Sequence, residues 1–238
     1  MNYKRILLKL SGEVFGSQNK GLDFTSIETV GQDIQKVRKN TDIQMVIVVG
    51  SGNLFRGRNV QETAIDRIVA DHIGMLGTLM NALALQEAME RMGNQTRVMS
   101  SIPTNAFCEP YIRRRAIRHM EKGRIVIIGG GTGNPLCTTD FAAAQKAIEL
   151  KCNIILKASN VDGIYNKDPK KYPDAYKLKK VSYQYALENG LKAMDPTAFA
   201  LCQEHNVPIV VFNCKNLNNI KNIIKGRKIG TFITKSGK

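Results

Sequence analysis

Five short runs of Ile, Val and Leu constrain the fold more than any other feature of this sequence. They occupy residues 5–10, 45–49, 125–128, 154–157 and 208–212. Apolar runs without strict alternation are typical of strands that are buried on both faces. Segments with helical spacing separate the runs, which is the order expected when crossover helices connect parallel strands. We therefore predict the α/β class, with helices on both sides of a mostly parallel central sheet.

Chain organisation favours one domain over residues 1–238. No linker rich in Pro, Gly or Ser divides the 238 residues, and 43% of them are hydrophobic, which is typical of a globular chain.

No uninterrupted apolar run approaches the roughly 18 residues of a membrane span, so we expect no membrane association. The first apolar stretch is broken by Lys9 and lacks a signal peptide's features. Five scattered cysteines without a C-x-x-C pair fit a reducing, cytoplasmic location.

The charge balance allows two interpretations. The 35 basic and 20 acidic residues give a net charge of +15. Such an excess is expected of a protein that binds nucleic acid or acts on anionic substrates. It is also expected of a chain whose surface lysines are simply solvated, and the absence of a recognisable nucleic-acid-binding motif favours this second interpretation.

Glycine-rich turns follow three of the predicted strands, at residues 11–12, 50–53 and 129–135. The carboxyl ends of parallel strands meet at one edge of a sheet, where ligands collect. Glycine allows backbone N–H groups to approach a phosphate closely. Neither a P-loop nor a G-x-G-x-x-G fingerprint is present. The pattern therefore predicts a nucleotide or polyphosphate site that is spread over several loops.

Two lysines within apolar strands are candidate phosphate ligands. Lys9 and Lys157 each stand near the end of a predicted strand. Each would face water if its strand lay at an edge, but a buried ammonium group requires an anionic partner. A transferring phosphoryl group could supply that partner for both lysines. Arg56 follows the second glycine turn and is either a surface residue or a bidentate phosphate ligand.

The segment 132–140 is the most specific candidate for an acceptor site. Thr138 or Thr139 could cap a helix beginning near Phe141, whose amino terminus would receive an anion. Asp140 would complement the helix dipole, hold Mg²⁺ or orient a lysine. Asp71, inside the long helical tract 61–92, is either a solvated helix residue or an acceptor for ligand hydroxyls.

Several motifs occur together and in order: KLSGE at 9–13, GSGNLFRG at 50–57, DHIGM at 71–75, GTGNP at 131–135 and VDG at 161–163. On these motifs the chain, from about residue 3 to residue 234, resembles the bacterial uridylate kinases (UMP kinases) of the amino-acid-kinase superfamily. The resemblance implies an α/β/α sandwich and a homohexamer built as a trimer of dimers. It also implies the Mg²⁺-dependent reaction of ATP with UMP to give ADP and UDP, a step of pyrimidine nucleotide biosynthesis.

Site residues follow from the resemblance by motif matching. It implies that ATP phosphates contact Lys9, Leu10, Ser11, Gly12, Gly52 and Arg56, and that the nucleoside of ATP contacts Ser159, Asn160, Tyr165 and Asp168. It implies that UMP contacts Ser51, Asp71, Thr132, Gly133, Asn134, Pro135, Leu136, Cys137, Thr138 and Thr139. We further expect Asp140 and Lys157 to organise phosphoryl transfer together with Lys9 and Arg56, and we expect no metal site formed by the protein alone.

Four positions depart from the family pattern. Ser51 replaces a third glycine, Asn153 replaces a frequent Asp, and Gln86 and Glu90 replace basic residues that bind the activator GTP in relatives. Activation by GTP and inhibition by UTP are therefore open at this point. So are two other functions: a carboxylate or carbamate kinase of the same superfamily, and a basic nucleic-acid-binding regulator.

Overall fold

The computed structural model describes residues 3–17, 20–39, 41–55, 65–169, 171–191 and 193–236. The strands are β1 Arg5–Leu10, β2 Gln44–Val49, β3 Thr96–Ser100, β4 Glu109–Pro110, β5 Ile125–Gly129, β6 Ile154–Ser159, β7 Ile164–Tyr165, β8 Lys177–Leu178, β9 Lys180–Ser182, β10 Ile209–Asn213 and β11 Thr231–Thr234. The helices are α1 Phe24–Arg38, α2 Arg67–Arg91, α3 Arg113–Glu121, α4 Thr139–Glu149, α5 Tyr183–Glu188, α6 Pro196–Glu204 and α7 Asn219–Ile224.

Nine of these strands form one sheet in the order β4-β3-β5-β2-β1-β6-β10-β11-β9. All neighbouring pairs are parallel except β10 with β11. The five apolar runs of the sequence form the five adjacent strands β5, β2, β1, β6 and β10 at the centre of the sheet. A separate antiparallel pair, β7 with β8, lies in the lysine-rich region after β6.

Both faces of the sheet are covered, as the composition of the central strands requires. In β1, Leu8 packs in one core with residues of α1, α2 and α7, whereas Leu7 packs in the other with residues of α3, α4 and α6. Burying one such side chain contributes about 1.5–3 kcal/mol. The α/β/α sandwich predicted from the sequence is confirmed; the extent of a single domain over residues 1–238 stays a prediction.

Helix α2 has the length and mean hydropathy of a membrane span, although the sequence contains no uninterrupted apolar run of that length. It has 25 residues, and its most apolar 18-residue window has a mean hydropathy of 1.4, so length and composition alone would allow it to cross a membrane. The helix packs on β2, β3, β5 and α1. It contributes Leu79, Ala82 and Leu85 to the core, which accounts for the apolar residues of its inner face.

Candidate active site

A cavity of about 420 Å³ lies at the carboxyl edge of the sheet. Its lining comes from the ends of β1 and β2, one face of α2, the segment after β5 and the amino terminus of α4. The sequence-predicted residues in the lining are Lys9, Ser11, Gly12, Ser51, Gly52, Asp71, Thr132, Asn134, Cys137, Thr138, Thr139 and Asp140. The glycine turns and the acceptor segment therefore line one cavity, as expected from their positions at the carboxyl ends of parallel strands.

The first two glycine turns are in direct backbone contact. A Cβ atom at Gly12 would lie 2.2 Å from the backbone nitrogen of Gly52, so only glycine allows this approach. The Gly50 N–H donates to the carbonyl of Leu10 at 2.9 Å. The Leu10 side chain itself is fully buried in the core, so only its backbone belongs to the turn. The two turns form a single rigid cradle beside the cavity.

Ser51 occupies the place of a third glycine without disturbing this cradle. It faces α2 at two glycines of that helix. A Cβ atom at Gly77 would lie 2.9 Å from the Ser51 Cβ, whereas one at Gly74 would lie 3.7 Å from the Ser51 Oγ. The absence of a side chain at Gly77 therefore makes room for the serine.

Lys9, Lys157 and Asp140 form a buried ionic group at the floor of the cavity. Lys9 and Lys157 are direct neighbours in the register of β1 with β6. The Lys9 Nζ lies 3.0 Å from one carboxylate oxygen of Asp140, and the Lys157 Nζ lies 2.6 Å from the other. The three side chains are between 11% and 14% exposed. Of the three options for Asp140, the structure supports the one in which it orients a lysine.

This group has a net charge of +1, since two ammonium groups share one carboxylate. Burial alone would raise the pKa of Asp140, but the charges and hydrogen bonds of Lys9 and Lys157 lower it well below its usual 3.8. Asp140 is therefore ionised at neutral pH. The surplus positive charge, with Lys9 lining the cavity, favours binding of a further anion there.

The amino terminus of α4 adds a second anion-attracting feature. Thr138 is the residue that caps this helix, because its Oγ1 accepts the Phe141 N–H at 3.1 Å. The helix begins at Thr139, directly after this cap. Thr138 and Thr139 both line the cavity, so the positive end of the helix dipole faces it.

Asp71 connects α2 to the acceptor segment. Its carboxylate accepts the Arg67 Nε–H at 3.0 Å and 3.1 Å and the Leu136 backbone N–H at 2.8 Å. Leu136 has a positive φ of 63°, which is uncommon for a side chain of this kind, and it is exposed. Gly133, Pro135 and Leu136 belong to the predicted acceptor segment but do not line the cavity.

The residues predicted to hold the nucleoside of ATP lie elsewhere. Asn160 donates to the Glu13 carboxylate, and both line a second cavity of about 310 Å³. Glu13 also lines the first cavity, so the two are adjacent. The Tyr165 hydroxyl donates to Asp162 at 2.9 Å, and this bond raises the pKa of Tyr165.

Four further predicted site residues have other outcomes. Ser159 ends β6 and Asp168 accepts backbone hydrogen bonds from its own loop, and neither lines either cavity. Lys157 is also absent from both linings, and its described contact with the site is the ion pair with Asp140. Arg56 lies outside the residues that the structure describes.

Sequence reasoning missed the interior face of α2. Arg67, Gly74 and Thr78 line the cavity together with Asp71. Spacings of three and four residues place them along one helix face. Small and polar residues at that spacing within an apolar helix were the signal that could have found them.

Comparison with known proteins identifies the family of the chain. The sequence model of the family described as "Amino acid kinase family" matches residues 4–213. A curated uridylate kinase from Nocardioides sp. (strain ATCC BAA-499 / JS614) is 49% identical over 233 residues, which are 98% of both chains.

Two solved structures are similar over almost their whole length. The crystal structure of UMP kinase from Bacillus anthracis has a TM-score of 0.95 at 38% identity, covering 100% of this chain and 99% of the other. That of UMP kinase from Ureaplasma parvum has a TM-score of 0.91 at 35% identity, covering 98% and 100%. With its family match, its closely similar curated relative and these folds, the chain belongs to the amino acid kinase family and, within it, to the uridylate kinases.

Proposed function

We propose that this chain transfers the γ-phosphoryl group of ATP to UMP, giving ADP and UDP, through the buried group of Lys9, Lys157 and Asp140. The observation that carries this proposal is the position of that group. It lies between the cradle of the two glycine turns and the capped amino terminus of α4, and it has a net positive charge. Phosphoryl transfer needs positioning and charge stabilisation at such a place more than it needs covalent chemistry.

The reaction requires no general base. A phosphate oxygen of UMP attacks the γ-phosphorus of ATP in line, the bond to the β-phosphate oxygen breaks, and ADP leaves with that electron pair. Lys9 stabilises the negative charge on the transferring group, and Asp140 fixes the direction of both lysines. Because the attacking phosphate is already anionic, no residue has to remove a proton.

The substrates are assigned to opposite sides of Lys9. We propose that ATP phosphates bind the turns at 10–12 and 52, with Arg56, and that Ser159, Asn160, Tyr165 and Asp168 hold its nucleoside. UMP binds Ser51 and the segment 132–139, with its ribose hydroxyls donating to Asp71. Arg67 bonds both oxygens of the Asp71 carboxylate and fixes its direction, so the carboxylate is oriented before the ribose binds.

Magnesium fits this site only as a partner of the nucleotide. Both oxygens of Asp140 are within 3.0 Å of a lysine, so this carboxylate is a poor metal ligand. In the described ranges, no three His, Cys, Asp or Glu side chains form a candidate metal site. We propose that Mg²⁺ arrives with ATP, held by phosphate oxygens and water, and we assign no step to it.

An acceptor panel tests the proposed reaction directly. A coupled assay of ADP release would compare UMP, CMP, AMP, GMP, glutamate and carbamate at equal concentration. We expect turnover with UMP far above that with the other acceptors. Turnover with glutamate or carbamate but not with UMP would support the carboxylate or carbamate kinase instead. Adding GTP or UTP to the UMP reaction tests whether either nucleotide is an effector.

We also propose self-association as a homohexamer in the cytoplasm. The outer face of α2 exposes an apolar stripe of Val69, Ile73, Leu76 and Met80, each at least 38% exposed. These residues recur at helical spacing, and a contiguous exposed apolar face is typical of an interaction surface. Light scattering of wild type and Leu76→Asp tests this proposal, with a lower mass expected for the variant.

A further inference from the structure

Helix α2 carries two buried polar side chains on its interior face. One bonds the turn that carries Gly52, and the other bonds the start of the segment assigned to UMP. Asn81 is fully buried and Thr78 is 3% exposed. Buried polar groups require hydrogen-bond partners, so the partners of these two residues show what the helix holds in place. They bond different loops.

Asn81 holds the ATP side. Its Nδ2 donates to the Gly50 carbonyl at 2.7 Å. It also forms a reciprocal amide pair with Asn53, with distances of 2.8 Å and 3.0 Å. Asn53 in turn donates to the Gly21 carbonyl at 2.5 Å, so one amide chain connects α2 to the second glycine turn and to the loop before α1.

The same amide pair supports the contact between the two glycine turns. The Asn53 Oδ1 lies 2.7 Å from the place that a Cβ atom of Gly12 would occupy. Displacing Asn53 would therefore loosen the packing of the Gly12 turn on the Gly52 turn. Gly12 and Gly52, which these turns bring together, are both assigned to the ATP phosphates, whereas Ser51 of the second turn is assigned to UMP.

Thr78 holds the UMP side. Its hydroxyl donates to the Met75 carbonyl at 2.7 Å and accepts the Gly130 N–H at 2.8 Å. Gly130 is buried, has a φ of +77° and stands where β5 leads into the acceptor segment. Without Thr78, a buried N–H at the start of that segment would lose its partner, and the turn would have to move.

We propose that Asn81 and Thr78 are positioning residues with separate substrates: Asn81 sets the geometry for ATP, and Thr78 sets the geometry for UMP. The proposal rests on the proposed function, because that function assigns the two loops to the two substrates. Neither residue takes part in the chemistry. Each acts through the backbone of a loop: Thr78 through the start of the segment assigned to UMP, and Asn81 through the contact that holds Gly12 against Gly52.

Steady-state kinetics of matched variants test this division. Asn81→Leu and Asn81→Asp remove the donors to Gly50, and Thr78→Val removes the hydroxyl while keeping the shape. We expect the Asn81 variants to raise KM for ATP roughly tenfold and to change KM for UMP less than about twofold, with the opposite pattern for Thr78→Val. Thr78→Ser keeps the hydroxyl and should restore the KM for UMP.

Thr96→Val is the control for a general loss of packing. Thr96 lies on β3 and is fully buried. Its hydroxyl donates at 2.7 Å to Glu90, near the carboxyl-terminal end of α2. Its removal should lower the melting temperature and leave both KM values unchanged. If Asn81→Leu does not fold, Asn53→Ala removes the amide pair and the bond to Gly21 while keeping the bond from Asn81 to Gly50, and it should raise KM for ATP in the same direction. If Thr78→Val does not fold, Thr78→Ala removes the same hydroxyl and carries the same expectation.

The outcomes separate the two proposals. Wild-type turnover of ATP with UMP tests the proposed function by itself. If the wild type is active but the Asn81 and Thr78 variants raise both KM values together, or neither, the division of roles is wrong while the function stands. If the wild type does not phosphorylate UMP, the function fails and the assignment of the loops to substrates fails with it.

Discussion

The residue at position 51 should decide whether Gly77→Ala stabilises or destabilises the protein. In a helix interior, alanine is favoured over glycine by about 0.8–1.0 kcal/mol. Here the new Cβ would lie 2.9 Å from the Ser51 Cβ, a distance that forces one of the two backbones to move. Overpacking of this kind costs about 1–3 kcal/mol. Gly77→Ala should therefore lower the free energy of unfolding by about 0–2 kcal/mol in the wild-type background.

In a Ser51→Gly background the clash is absent, and Gly77→Ala should stabilise by about 1 kcal/mol. The double-mutant cycle should then give a coupling energy of about 1–3 kcal/mol between positions 51 and 77. Urea unfolding of the four proteins at one fixed protein concentration measures it, because association would otherwise contribute to the apparent stability.

Gly74→Ala is the matched control for this cycle. It lies one turn earlier on α2 and faces the same serine, but its Cβ would lie 3.7 Å from the Ser51 Oγ, an ordinary contact. It should stabilise by a similar amount in both backgrounds. A coupling energy below about 0.5 kcal/mol for Gly77→Ala would refute the packing argument.

Three further predictions concern charge and reactivity. Lys9→Met should lower kcat by about 10²–10³ while the circular dichroism spectrum stays unchanged, and retained activity would contradict its role. Since the pKa of Asp140 is lowered on folding, its contribution to stability is fully present above about pH 4 and is lost as the pH falls through the lower folded value. The stability difference between wild type and Asp140→Asn, measured by urea unfolding, should therefore shrink in acid. Burial raises the pKa of Cys152 to about 12, so at about pH 8 mass spectrometry should find iodoacetamide on the exposed Cys137 and not on Cys152.

The central strands could be predicted from the sequence because burial on both faces leaves an unbroken apolar run. Strand β3, Thr96–Ser100, could not, since Arg97 interrupts its pattern near the edge of the sheet. Strand β11, Thr231–Thr234, alternates buried and half-buried residues over only four positions. Short strands towards a sheet edge have one partly covered face, and their pattern is too brief to distinguish from a loop.

Part of the site was predictable for the same reason. Glycines and lysines at the ends of central strands must lie at one edge, so Lys9, Gly12 and Gly52 could be placed together before any coordinates. Pairing of both lysines with Asp140 depends on the register of β1 with β6 and on where α4 begins. Those are tertiary facts, which is why the sequence left three roles open for Asp140.

Helix α2 shows why a mean hydropathy alone is a poor indicator of a membrane span. Thr78 and Asn81 interrupt its apolar run, yet neither carries a charge that would lower the mean hydropathy of the window strongly. In the fold these interruptions carry the information, because they are the side chains that bond the loops at Gly130 and Gly50. An apolar helix that presents polar side chains only where backbone turns approach it is built to hold those turns. A membrane-spanning helix would gain nothing from an amide donor at that depth unless a neighbour accepted it.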